Sequence, residues 1–477
     1  MKNIRNFDLK SAYENYVKSS EYTYHNVSFA KDADKIFYDN KHDFRRPEST
    51  ENTQAQDDLA ESIVERAKAA TATVKIDFSE EGVLNNIEFP DDVQKFVYLT
   101  GSCENGLTLK SEAQSSIALT VTNDEPIDII VDSNKTVYLH GKFRNIWTNA
   151  PISLNSTDEI YGTVTFDDDY DGTVTITATM KNGSKVQTLT TGNVTVNNGG
   201  EETSFEVYAP NADVFVGGRS NIVTITAKSD TIYLKQNCYI NKLKVVNGKV
   251  KVYGLDVNEF VGTLISDDTI EPMEFNVPTD VSVAKMTSTP GIYKFVEDVE
   301  TSSVIGFGIV ASGKFKYDLN GKNVTLGNKN YALFLRGTVE VNICGDGKFE
   351  NGTTGYCAWV SSTGATLNIY GGELIGNTHT VYAEKGTVNI YGGTFKMSNA
   401  DTADRDVNGN LKFLLNCYDA SYTSGDARIT VYGGKFYEFN PAESYSEPGG
   451  PVNFVADGYH VVESEEEGKR VFTVVKD

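Results

Sequence analysis

Four segments of the chain superpose on one another: EVNICGDGKFENG (340–352), TLNIYGGELIGN (366–377), TVNIYGGTFKMSN (387–399) and RITVYGGKFYEFN (428–440). In each, two apolar residues stand two apart: Val341 and Ile343, Leu367 and Ile369, Val388 and Ile390, Ile429 and Val431. Another follows five positions on at Leu374, Phe395 and Phe436, or six at Phe349, where Asp346 is an extra residue. Alternation marks a strand with one buried face, and the glycines with their change of phase mark a corner into a second strand. Tyr370 to Tyr391 is 21 residues, Cys344 to Tyr370 is 26, and Tyr391 to Tyr432 is 41, two periods with a polar insert at 400–410. A unit this short cannot bury its own apolar positions, so successive units must stack. The pattern predicts a parallel β-solenoid over 286–442. At roughly 22 residues and about 4.8 Å per coil, residues 290–440 make about seven coils and a rod of about 33 Å.

Upstream, residues 72–285 read as strands almost throughout, among them TVKIDF, KFVYL, SIALTV, GTVTITATM and KVKVYG. The chain's 26 Tyr and 24 Phe against 2 Trp, with 41 Gly and 11 Pro, suit short strands joined by glycine turns and disfavour an all-helical fold. The strand spacing is that of one or two sandwich-like or solenoid β units forming a stalk, and the pattern does not separate those two. The run KMTSTPG places a boundary near 285–292. Residues 57–71 hold a short helix, with Leu59, Ile63, Val64, Ala67 and Ala70 at helical spacing and an Asp58–Glu61 pair resembling a capping box. That helix lies on its own domain or on a three-fold axis. Residues 1–56 are polar but rich in rings, and read as an extended arm that finds its burial on a partner. The fold class is therefore all-β: arm, short helix, β-sandwich or β-solenoid middle, and parallel β-helix.

Charge and cysteines exclude several functions. The 43 Lys and Arg against 66 Asp and Glu leave −23, the wrong sign for a nucleic-acid partner. Cys103, Cys238, Cys344, Cys357 and Cys417 show no zinc or redox spacing, so they read as reduced packing thiols. The amino terminus lacks the apolar run of an export signal, and no stretch is long enough to span a membrane. Synthesis in a cytoplasm, with no membrane partner, is the expectation.

Candidate sites are few. DDDYDG places Asp167, Asp169 and Asp171 before Gly172, and DRDVNG places Asp404, Asp406 and Asn408 before Gly409, the opening ligand pattern of a calcium loop. The twelfth positions are Ala178 and Leu415, so the bidentate acid is missing, and DDDYDG also reads as a hairpin turn. Calcium is the single cofactor these residues bring into view. Tyr370, Tyr391 and Tyr432 share an outward column beside Asn342, Asn368 and Asn389. Such columns read as ladders that tie coils together, or as a subunit interface or glycan-binding face. His379, in a turn, reads as a solvated imidazole. No nucleophile–base pair can be assigned, and no catalytic residue is proposed.

The stretch GIYKFVEDVETSSVIGFGIVASGKFKYDLNGKNVTL (291–326) followed by the YGG repeats resembles right-handed parallel β-helix proteins of the pectin-lyase-like class. DLNGK (318–322) is similar to that family's first coil. NFVADGYHVVE (453–463) with VFTVV (471–475) resembles the closing module of phage proteins carrying this solenoid, which makes 443–477 a capping module. NVSFAKDADKIFYDN (26–40) is similar to segments in structural proteins of crAss-like phages of gut Bacteroidales. Enzymes of the fold use clustered acids with a basic partner. Here the arginines after residue 290 are Arg336, Arg405, Arg428 and Arg470, with no paired carboxylates beside them in the enzymes' pattern. The resemblance implies a non-enzymatic virion protein, a homotrimeric head fibre on the capsid surface. Its arm would anchor to capsid proteins through Phe7, Tyr13, Tyr16, Tyr22 and Phe29, and its β-helix would meet host surface polysaccharide. A tail fibre or receptor-binding protein, a polysaccharide lyase or depolymerase, and a bacterial surface adhesin are the alternatives.

Overall fold

A computed structural model describes residues 42–200, 203–228, 232–247, 249–265, 270–280, 286–301, 307–309, 312–326, 330–352 and 354–477. The chain is nearly all β, 54% strand and 6% helix, wound as a parallel β-solenoid of about 14 turns. It divides into two compact units, Met1–Val250 with Val261–Thr269, and Lys251–Phe260 with Ile270–Asp477.

In the first unit Ile76, Leu99, Leu119 and Leu139 form one buried column, each paired in register with the next. Leu107, Ile129, Ile146, Val164, Val186, Val207 and Ile225 form another on a second face. Every strand pair of this unit among the described residues is parallel and joins one coil to the next, so the sandwich reading of the middle region gives way to the solenoid. The reason lies in the turns. A sandwich needs hairpins, whereas here each turn is a corner that carries the chain to another face before it returns one coil further on. DDDYDG is such a corner, not a hairpin: Thr163–Phe166 before it and Val174–Met180 after it each pair with neighbouring coils rather than with one another.

The helix α1 (Gln54–Lys68) starts three residues earlier than the sequence suggests. Its cap is Thr53, whose N–H donates to the Gln56 side chain at 2.8 Å, in place of the Asp58–Glu61 pair. Leu59, Ile63 and Ala67 are buried against the unit's own first strands, so that face is not on a three-fold axis. Before α1, residues 42–52 cross the strands of successive coils. His42 stacks on Tyr208 at 3.7 Å, Phe44 is buried, and Arg46 sits over the Trp147 ring at 5.5 Å while pairing with Asp132 at 2.6 Å.

The second unit carries the YGG repeats. Phe315, Val341, Leu367, Val388 and Ile429 stack in one inward column and Tyr317, Ile343, Ile369, Ile390 and Val431 in the next, all buried. Past the corner, Val324, Phe349, Leu374, Phe395 and Phe436 form the inward column of a second sheet. Each corner is set by its glycines. A Cβ at Gly392 would lie 2.6 Å from the Tyr370 carbonyl oxygen of the preceding coil, and Gly393 holds a left-handed φ of +100°. Coils precede DLNGK, which is a corner between Gly313–Asp318 and Lys322–Leu326 and not the first turn. At the far end an antiparallel hairpin, Tyr459–Glu466 with Lys469–Lys476, pairs onto Gly434–Tyr437. The edge of the last coil is thereby occupied.

Candidate functional site

On the outward side of the first sheet, Asn342, Asn368 and Asn389 form an amide ladder. Asn368 Nδ2 donates to Asn342 Oδ1 and Asn389 Nδ2 to Asn368 Oδ1, both at 2.9 Å. One step along, Tyr370, Tyr391 and Tyr432 stack with ring centroids 4.8 and 4.9 Å apart and planes within 7° and 10°. Tyr370 and Tyr391 are 52% and 43% exposed. Each ring, however, turns its face to its neighbour, and Tyr432 meets Tyr459 edge-on at 5.7 Å. The ladder therefore offers solvent mainly ring edges and hydroxyls.

A second outward face gathers more rings. Register places Phe334, Trp359 and Tyr382 in one column, on the strands Tyr331–Leu335, Tyr356–Ile369 and Val381–Ile390, and Tyr331 beside Tyr356 in the next. Phe334 lies 4.9 Å from Trp359 at 71°, Tyr356 5.4 Å at 85°, and Tyr382 6.0 Å at 52°. All five are half-buried, because each strand carries two consecutive inward residues, such as Ala332 and Leu333, that set both flanking rings outward. Trp359 Nε1–H donates to Glu384 Oε2 at 3.1 Å. Asn416 occupies the place after Tyr382, and its buried Oδ1 has no donor.

His379 belongs to this array and is no solvated turn residue. Its ring lies parallel to Tyr356 at 5.0 Å. Nδ1 is 3.0 Å from the Phe413 carbonyl oxygen, and Nε2 is 3.3 Å from Asn416 Nδ2. Burial pushes its pKa down to about 4, so the imidazole is neutral: Nδ1–H donates to Phe413 and Nε2 accepts from Asn416. Sequence reasoning passed over this array, yet a signal was there. An aromatic–x–x–aromatic pair recurs as Tyr331/Phe334, Tyr356/Trp359 and His379/Tyr382, at intervals of 25 and 23 residues.

The two calcium-like segments behave differently from each other. In the first, Asp167, Asp168 and Asp169 bring carboxylate oxygens within 4.8 Å of one another. Asp171 turns away and accepts from the Thr191 N–H at 2.9 Å and its hydroxyl at 2.6 Å. The alternate-residue pattern thus misses Asp168, whose carboxyl is pushed up by burial and by Asp167 and Asp169. In the second, Asp406 is spent on its own turn, accepting from the N–H groups of Asn408 and Asn410 at 2.8 and 2.9 Å. Asp404 contributes its carbonyl to Lys412 N–H at 2.9 Å. The cysteines are all free, and burial pushes Cys103 and Cys238 up to about 12, far from a reactive thiolate. Phe7, Tyr13, Tyr16, Tyr22 and Phe29 lie outside the described residues.

These features define a parallel β-solenoid whose second unit displays ordered outward aromatic and amide columns. Compared with protein-family models, curated proteins and solved structures, the chain matches none of them.

Proposed function

We propose that this chain is a non-catalytic adhesive protein of a bacteriophage virion, a trimeric head fibre whose arm attaches to the capsid and whose β-helix meets the host surface. The observation that carries the adhesive part is the second unit's outward surface, where rings and amides repeat coil after coil. Repeated contact chemistry suits an extended ligand. Two groups at that surface able to move a proton are already committed: His379 is neutral and bonded at both nitrogens, and Glu384 holds the Trp359 indole. That arrangement favours binding over acid–base cleavage. The phage part rests on the resemblance of both ends of the chain to virion proteins.

Two measurements test the reading. Gold-labelled antibody against the purified chain, applied to virions of a phage that encodes it, should decorate the capsid in regular positions. Label confined to the tail would make it a tail fibre, and no label would remove the virion assignment. Incubation with surface polysaccharide should release no reducing sugar, and steady release would make the protein a depolymerase.

A further inference from the structure

We infer that the array of Phe334, Trp359, Tyr382, Tyr331 and Tyr356 is a binding site for a neutral polysaccharide chain lying across successive coils. The inference rests on the adhesive reading above and assigns it a place and a ligand chemistry. A pyranose ring presents an apolar C–H face and a belt of hydroxyls, so its receptor needs aromatic surface beside polar groups. The array supplies both. Trp359, the largest ring, is central, with Phe334 at 4.9 Å on the preceding coil and Tyr382 at 6.0 Å on the following one. Glu384 Oε2, which fixes the indole, lies at the same level, and the tyrosine hydroxyls supply donors and acceptors. At the column's end Asn416 follows Tyr382, its Nδ2 held on His379 Nε2 at 3.3 Å.

Charge selects the neutral class. His379 carries no charge at neutral pH, and the array's own acidic side chain, Glu384, accepts from the indole. At the rim, Lys412 is already placed over the Phe413 ring at 5.0 Å. A chain of net charge −23 gains nothing from an acidic polymer. Within the tyrosine ladder every ring contact is face to face, whereas Trp359 meets Phe334, Tyr356 and Tyr382 at 71°, 85° and 52°; the stacked contacts of the array are Tyr331 with Phe334 and Tyr356 with His379.

The fluorophores make the test direct. The chain has two tryptophans, and Trp147 is 5% exposed in the first unit, so Trp147→Phe leaves Trp359 as the sole indole reporter. The full chain is applied to a printed array of neutral and uronic-acid-containing oligosaccharides, and the best neutral binder is titrated into W147F. Saturable change of Trp359 emission is expected, and on the printed array binding should weaken about tenfold or more in Trp359→Ala and in Tyr382→Ala and stay unchanged in Tyr370→Ala. Melting temperature and oligomeric mass are measured on every variant, and both should hold in at least Tyr382→Ala. Equal binding by wild type and both array variants overturns the site while leaving the protein adhesive. Preference for uronic acids overturns the neutral class, and loss of oligomeric mass in Tyr382→Ala makes the array a subunit contact. No binding to any sugar removes the adhesive reading and this inference with it.

Discussion

At the scale of single residues, burial decides what the polar groups of the second unit can do, and spacing along the chain hides it. His379 sits in GNTHTVYAEKG, a stretch that reads as a wet turn, yet the carbonyl of a cross-coil neighbour 34 residues away, Phe413, accepts its Nδ1–H. Glu447 is the same case on the acidic side. It is 5% exposed, and Oε1 accepts from Cys417 N–H at 2.7 Å and the Ser446 hydroxyl at 3.0 Å. Burial pushes its carboxyl up, against those two donors, and Oε2 has no partner. A raised folded pKa contributes stability that is complete below the unfolded value, near 4.5, and is lost as pH rises through the folded one. Glu447→Gln keeps the acceptor and removes the charge. Its melting temperature should therefore exceed wild type at about pH 8, the gap closing toward about pH 4. Glu447→Ala strands the buried Cys417 N–H, while the Ser446 hydroxyl keeps Ser444, and should cost about 1–3 kcal/mol. Parallel pH profiles for wild type and E447Q would refute the charge argument.

At the scale of elements, the YGG corners were the legible part, because three demands coincide there: alternating apolar residues, a close approach and a left-handed φ. Gly392→Ala tests the second demand alone. Its Cβ would stand 2.6 Å from backbone of the previous coil, which cannot move as a side-chain tip can, so a loss of about 2–4 kcal/mol in denaturant unfolding is expected. A neutral result would show that the coils separate easily. The aromatic array was hidden because its residues are three apart across two inward positions, and that spacing fits neither period 2 nor 3.6. The acidic corner was read by the wrong rule, since a loop that wraps a cation uses alternate residues whereas this one gathers three consecutive ones and spends Asp171 on Thr191. With so few ligands, chelating calcium at micromolar concentration should leave the melting temperature unchanged. A clear drop that Asp169→Ala abolishes would establish a calcium site.

At the scale of the whole molecule, the parallel pairing of the first unit's strands was undetermined in sequence because strand composition is the same in a sandwich, and only the partner of each strand differs. Stacked coils make parallel pairs across about 20 residues, while hairpins make antiparallel ones across a few. The same long-range pairing explains the chain before α1: His42, Phe44 and Arg46 reach residues 208, 147 and 132 in three different coils, contacts no local pattern announces. These contacts divide the amino-terminal region experimentally. Removing residues 1–41 leaves these three contacts in place, so the truncated chain should still fold and, on the head-fibre proposal, form a trimer of about three times 52.3 kDa less the deleted arms while failing to decorate particles. Removing residues 1–50 also deletes the buried Phe44 ring and the carbonyl that accepts from Trp147 Nε1 at 3.1 Å. That loss should cost about 3 kcal/mol or more and expose Trp147, seen as a red-shifted emission. Light scattering reads the first outcome and fluorescence the second. A monomeric full-length chain at micromolar concentration would end the trimer proposal, and normal particle decoration by the 42–477 protein would place the capsid attachment elsewhere on the chain.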